Sequence, residues 1–373
     1  MKHKIIKTGV ISKYDERFFF NAWPTVITLS NGDLLCAYSG LKTKHIDPFG
    51  KVLVSRSTDG GYTWSQPKIV LNTPLDDRDA GLCEIDGTIY LTSFNNSFAT
   101  QRYYSKNFSH FTHLHYTPEN IAFDEEYMAT VTKEQKQKYL GAMICKSTDN
   151  GHTFSKPKIV PIMTPHGLIK LKDGSALFIG KAFSDMEKSQ HEYLSDTKSI
   201  YAMKVYPDLT FDTPYVIAPK IDLRYEEPHA IDLGDKILMG IRVEGDGRFT
   251  IFHSYSTDGG KTFSEPKPTG FDGSPPHYFK HSSGAVILSY SRRKPPFPTV
   301  VRVSLDNGLT FGEEIIIRPS SPSVDGPDYC DLGYPSTTEN NNGELITVHT
   351  KRLTTKRQRK FNILFGHLKN NLF

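Results

Sequence analysis

Cysteine is scarce in this chain: Cys36, Cys83, Cys145 and Cys330 are the four in 373 residues, and all are widely separated. Such spacing argues against a disulfide framework and a cysteine metal site. Three of the four lie in apolar, strand-like runs, so buried free thiols of a reducing compartment are expected. Long apolar stretches are missing as well. None is long enough to span a bilayer, and Met1–Phe20, broken by Lys7, Lys13, Asp15, Glu16 and Arg17, holds no secretory core segment. A cytoplasmic location without a membrane partner is therefore expected. Charge of one sign is also wanting: 45 basic and 41 acidic residues leave a dispersed net charge of +4, which argues against a nucleic-acid partner. The one concentrated basic run, Lys351, Arg352, Lys356, Arg357, Arg359 and Lys360, reads as the solvated tip of a hairpin. Helical patterns are few, and no cofactor or metal is expected.

What the chain does hold is aromatic residues (12%), 28 glycines and 23 prolines, the composition of many short strands punctuated by turns. Self-similarity organises them. Ser57–Trp64 reads S-x-D-x-G-x-T-aromatic and recurs as Ser147–Phe154, Ser256–Phe263 and Ser304–Phe311. Each copy follows an apolar run and precedes a polar or proline-containing segment, as a hairpin between outer strands does. In such a turn the aspartate bonds its own loop, glycine accepts positive φ and the aromatic tucks beneath. Asp59, Asp149, Asp258 and Asp306 are therefore expected to be structural, because a repeated turn lies away from a shared axis.

A fainter repeat interlocks with the first: an apolar stretch, a turn, then a second apolar stretch. Its six copies are Pro24–Tyr38, Ala80–Phe94, Gly167–Gly180, Ala230–Arg242, Tyr278–Ser291 and Pro335–Thr350. The aspartate turns follow copies one, two, four and five, with a degenerate version, Tyr206–Phe211, after the third. Together the repeats predict an all-β, six-bladed β-propeller over residues 1–373 as a single domain. After the last copy comes the strand-like Phe361–Leu368, so Ile5–Ile11 is expected to supply the outermost strand of the sixth blade and close the ring. An insertion at about 96–138 in blade two carries Tyr103, Tyr104, His110, His113, His115 and Tyr116 and is a candidate to line a site; Thr132–Lys138 could form a short helix.

In a propeller the residues just before each innermost strand gather at one mouth. Here these are Asn21, Ala22 and Trp23; Asp76, Asp77, Arg78 and Asp79; His166; Glu226, Glu227 and His229; His277; and Tyr334. So many ionisable groups at equivalent positions point to a shared polar site. Strand exits add Arg242 and the pair Arg292 and Arg293, of which one is expected to face the cleft, since strand neighbours face opposite ways. Planar guanidinium groups there suit a carboxylate.

With these features the chain resembles the sialidase (neuraminidase) superfamily over nearly its whole length. The aspartate turns match that family's Asp-boxes, and the ordered set Glu227-Pro228, Arg242, Arg292 or Arg293, and Tyr334-Pro335-Ser336 matches its site. The resemblance implies Tyr334 as nucleophile, Glu227 as its proton acceptor, and Arg242 with Arg293 as a substrate-carboxylate clamp. It implies Asp47, on the loop Lys44–Phe49, as acid/base, with His45 beside it and Arg78–Asp79 as further substrate contacts. The chain departs where the family carries its first clamp arginine: Asn21-Ala22-Trp23-Pro24 has alanine at that place. Arg17 or Arg78 could substitute. The expected partner is therefore an anionic or sialic-acid-like glycan, cleaved by exo-acting hydrolysis. Two other readings stay open: a uronate-eliminating lyase using His166, His229, His277 or Tyr334, and a non-catalytic glycan-binding propeller.

Overall fold

The computed structural model describes residues 4–12, 17–107, 116–191, 193–319, 333–354 and 359–369. Among the described residues, 25 strands form five sheets, accompanied by three helices. The inner hairpins fall on the sequence repeats. Phe20–Thr28 pairs with Leu34–Lys42, Asp76–Ile85 with Thr88–Asn96, Arg224–Asp232 with Ile237–Gly245, Ser274–Lys280 with Val286–Ser291, and Gly333–Glu339 with Leu345–Thr354. In the third repeat the inner strand is broken: Ile162–Met163 and Ile169–Lys170 both pair with Ala176–Ala182.

Five sheets stand where six blades are expected, and the difference arises at ring closure. Arg359–Lys369 runs beside the first inner strand and makes the parallel pairing Phe20↔Phe361, which joins the last and first repeats in one eight-stranded sheet. The N-terminal strand Lys4–Val10 pairs antiparallel with Arg359–Lys369, so that edge is covered as anticipated. Leu345–Thr354 and Arg359–Lys369 form a hairpin through Thr354↔Arg359; the basic residues Lys356 and Arg357 lie outside the described residues.

Apolar side chains alternate along each strand and fill the wedges between adjacent repeats, leaving no single central core. Leu35, Leu82 and Met143 fill one wedge; Leu177, Met239 and Ile241 another; Leu238, Tyr278 and Leu288 a third; Val26, Cys36 and Val348 the closing one. Burying these faces between repeats leaves the axis to polar side chains.

The aspartate turns are built as their composition demands. In the turn at Ser304, Asp306 Oδ1 accepts from Ser304 Oγ (2.7 Å) and from the Thr310 amide (2.9 Å), while Oδ2 accepts from Thr310 Oγ1 (2.5 Å). These bonds, the Thr310 hydroxyl first, hold the carboxyl at about 2, below the ordinary range. Asp59, Asp149 and Asp258 repeat the pattern, and Asp208 keeps a reduced form of it through Thr210.

The insertion folds as α1 (Phe98–Asn107), α2 (Pro118–Met128) and α3 (Lys133–Tyr139), the last started by a capping box between Thr132 and Gln135. His110, His113 and His115 lie outside the described residues. Cys36, Cys83 and Cys145 are free thiols, and Cys330 also lies outside the described residues. No helix among the described residues is long and apolar enough to cross a membrane.

Candidate active site at the axial mouth

Register breaks recur at one level of the inner strands: between Ala22 and Thr25, Arg78 and Gly81, Glu226 and His229, Ser274 and His277, and Gly333 and Ser336. At four of these bulges a side-chain-bearing residue takes left-handed backbone: Trp23 (φ 55°), Asp79 (φ 53°), Glu227 (φ 39°) and Tyr334 (φ 46°). Each such residue costs about 1–3 kcal/mol and persists where the surroundings over-determine it. A bulge turns its extra residue out of the pleat, so strands from four repeats aim one side chain each at the same end of the axis.

Tyr334 and Glu227 meet there. The Tyr334 hydroxyl donates to Glu227 Oε1 at 2.6 Å, and Arg242 Nη1 donates to Glu227 Oε2 at 2.5 Å and to the Tyr334 oxygen at 3.1 Å. Arg242 Nη2 also pairs with Glu244, two residues along the same strand and therefore on the same face. Burial works against the Arg242 charge, but Glu227, Tyr334 and Glu244 outweigh it and hold the guanidinium protonated. Arg293 lies 5.4 Å from the Tyr334 ring centre, and its Nε donates to the Ser274 carbonyl. Burial, then the neighbouring Glu227 charge, pushes the phenol well above its usual range, with Arg242 and Arg293 opposing. Tyr334 at rest is thus a neutral phenol already hydrogen-bonded to the Glu227 carboxyl group.

The first and second repeats supply the other half of the mouth. Trp23 lies 6.3 Å from Tyr334, ring centre to ring centre, and Arg78 stacks on its indole at 4.2 Å. Arg78 Nε reaches Asp79 Oδ2 at 3.4 Å and Nη2 approaches His45 Nε2 at 3.5 Å. His45 packs edge-on to Trp23 and parallel to Tyr104 of α1, so the insertion does border the mouth. Asp79 is buried, and its Oδ1 has no hydrogen-bond partner in the structure. Burial raises its carboxyl to about 7; Arg78 pulls it down and Glu227 pushes it up.

Two residues further along the inner strands the side chains point into the axis below the mouth. His229 and His277 stack at 4.5 Å, and His166 lies 4.9 Å from His277 and 5.5 Å from His229. The backbone fixes two of them: the Tyr278 amide donates to His229 Nδ1, the Thr337 amide to His277 Nδ1, and Ser336 Oγ bonds His277 Nε2. Burial drives His166 down to about 3, and burial with mutual repulsion holds His229 and His277 well below their usual range. Gly81 and Gly167 let the second and third inner strands approach here; a Cβ on Gly81 would stand 2.3 Å from the Gly167 nitrogen. No group of three or more His, Cys, Asp or Glu among the described residues has the arrangement of a metal site.

Residues 126–348, more than half of the chain, match the model of the BNR repeat-like domain family. The chain belongs to the BNR repeat-like domain family. A search of the curated proteins returns no match to the sequence. Among solved structures, this propeller is similar to a protein of unknown function from Dyadobacter fermentans, with a TM-score of 0.74 at 21% identity, covering 98% of this chain and 99% of that one. It is similar to the NanB sialidase from Streptococcus pneumoniae, with a TM-score of 0.64 at 15% identity, covering 97% and 70%. It is also similar to the Trypanosoma rangeli sialidase in complex with sialic acid, with a TM-score of 0.59 at 14% identity, covering 98% of this chain and 58% of that one. At these identities the likeness is one of fold.

Most of the expected residues of the propeller meet at the mouth: Tyr334, Glu227, Arg242, Arg293, Trp23, Arg78, Asp79 and His45. His166, His229 and His277 converge too, but below it as a buried stack. Two expected residues face elsewhere. Arg292 turns away from the cleft and pairs with Glu314 at 2.6 Å. Asp47 is fully buried: Oδ2 accepts from the Thr43 amide (2.7 Å) and Thr43 Oγ1 (2.5 Å), and Oδ1 from the Phe49 amide (2.7 Å). It braces its loop and presents no carboxyl oxygen to the mouth.

Behind the first two repeats lies a buried ionic network. Lys42 pairs with Asp76 at 2.6 Å, and Lys44 pairs with Asp124 of α2, tying the insertion to the His45 loop. Arg17 stacks on Phe123, also in α2, so the position left by the absent first-repeat arginine is bordered by Arg78 and Lys42 on Trp23 instead. Lys42, Lys44 and Asp124 carry no local motif; their partners come from distant segments. Glu244 could have been found, by its two-residue offset from Arg242.

Proposed function

We propose that this propeller is a sialidase-like glycoside hydrolase that acts on an anionic glycan at the axial mouth. The observation that carries the reading is the triad of contacts among Tyr334, Glu227 and Arg242, with the phenol 2.6 Å from the carboxylate. An anomeric carbon bearing a carboxylate repels an Asp or Glu nucleophile, whereas a neutral phenol approaches without that penalty. As the Tyr334 oxygen bonds to that carbon, its proton passes to Glu227 Oε1 along the existing hydrogen bond. Arg242, 3.1 Å from the same oxygen, stabilises the charge that develops there, and Arg293 beside the ring offers a second guanidinium to the substrate carboxylate. Ala22 stands where family members carry the first clamp arginine, and Trp23 with Arg78 stacked on it borders the mouth there instead, which favours an anionic sugar other than sialic acid itself.

The lyase reading loses support from the partners of the histidines: His229 Nδ1 and His277 Nδ1 accept from backbone amides, His277 Nε2 bonds Ser336 Oγ and His166 Nδ1 bonds Thr25 Oγ1. Incubating the purified protein with a panel of sialylated and uronate-containing glycans, with mass detection of products, tests the proposal. Products summing to the substrate plus one water are expected. An isobaric split with ultraviolet absorbance would establish elimination instead, and unchanged glycans would establish binding without turnover.

A further inference from the structure

We propose that Asp79, and not Asp47, is the proton donor to the leaving oxygen. The inference rests on the hydrolase reading. Asp79 occupies the second-repeat bulge, equivalent to the bulges that carry Tyr334 and Glu227, with the same left-handed backbone. Its amide is held by Ser39 Oγ at 2.9 Å, so the strand position is fixed. Its carboxyl is buried, with Oδ2 on Arg78 and Oδ1 unpartnered. An unpartnered carboxyl oxygen enclosed in protein is costly unless a proton or a substrate oxygen completes it. Asp47 has the opposite environment, since its carboxylate accepts three hydrogen bonds and has no exposure. His45 faces the mouth, but a protonated imidazole there would confront Arg78 at 3.5 Å.

The Tyr334 oxygen bonds to the anomeric carbon and gives its proton to Glu227. The bond from that carbon to the leaving oxygen breaks, and the Asp79 proton passes to that oxygen. In the second half Asp79, now a carboxylate, takes a proton from water as the water oxygen bonds to the anomeric carbon. Tyr334 departs and recovers its proton from Glu227, so the net reaction is addition of one water. The groups around Asp79 set its proton affinity: burial and Glu227 raise it to about 7, against Arg78 and Lys42. That value matches an acid working near neutrality.

The test compares the parent, Asp79→Asn and Asp47→Asn on methyl and 4-nitrophenyl glycosides of N-acetylneuraminic acid and glucuronic acid. A nitrophenolate leaves without protonation and a methoxide does not. Asp79→Asn is expected to lose about 10²–10⁴-fold on the methyl glycoside. It should still release nitrophenol in a burst, and azide should restore its turnover. Asp47→Asn is expected to affect both glycosides alike. Equal losses for Asp79→Asn on both leaving groups, or an unimpaired methyl-glycoside rate, would overturn the proposal while leaving the hydrolase reading intact. Absence of turnover by the parent on every glycoside and on the glycan panel would overturn the hydrolase reading and this proposal with it. A readout independent of turnover is carbon NMR of carboxyl-labelled aspartate. A resonance titrating near pH 7 should vanish in Asp79→Asn, and an Asp79 resonance titrating below pH 5 would contradict the assignment.

Discussion

Replacing Arg242 with methionine removes the cation that separates Glu227 from Glu244. The side chain is 14% exposed, Glu244 9% and Glu227 24%, so both carboxylates would be left in a poorly solvated mouth. Breaking a buried pair by deleting one partner costs about 3–5 kcal/mol. Arg224 still holds Glu244, and Glu227 is partly hydrated, which brings the expected loss for Arg242→Met to about 2–4 kcal/mol at pH 7. Adding Glu227→Gln should recover part of the loss, because a neutral amide removes one stranded charge. Urea denaturation of the parent, the single and the double variant at pH 7 measures both effects. A deficit below about 1 kcal/mol would be that of a solvated surface pair and would contradict the stranding of the two carboxylates, as would a double variant no more stable than Arg242→Met.

Asp258→Ala removes three local hydrogen bonds from an exposed turn and should cost about 1–2 kcal/mol. Thermal melts would show the loss, while activity per folded molecule stays at the parent value; a fully stable but inactive variant would contradict this. Lys44→Met strands Asp124, whose carboxyl burial already raises to about 7. Its folded form binds a proton that the unfolded chain releases between about pH 4 and pH 7, so stability falls as pH rises through that window. Losing Lys44 should steepen that fall, and denaturation curves with unchanged pH slope would count against the pair's role in holding the insertion.

The repeats were legible because turn chemistry is local: Asp306, Gly308 and Thr310 specify their loop within seven residues of Ser304. The merging of the last and first repeats was not, since it depends on one pairing between Phe20 and Phe361, far apart in the chain. At the mouth, the positions of Tyr334, Glu227 and Asp79 followed from their place before each inner strand. The left-handed bulges that aim them could not be read, because tryptophan, aspartate, glutamate and tyrosine carry no preference for positive φ strong enough to mark one. Asp47 illustrates the limit on loops: sequence places it near the mouth, but the three donors from Thr43 and Phe49 decide which way it faces. Lys44 reads as a surface lysine until α2 brings Asp124 against it.

In the proposed reaction Tyr334 and Glu227 act as one nucleophilic unit on a glycan. Turnover of Tyr334→Phe, Glu227→Gln and the double variant, on whichever anionic glycan the parent cleaves, tests it most directly. Each single change keeps the side chain's size and should leave the fold and substrate binding in place while lowering kcat by on the order of 10³-fold or more. Because one proton is shared across 2.6 Å, the double variant should be scarcely slower than either single one. Near-parental rates for both single variants, or losses that multiply in the double, would contradict the claim.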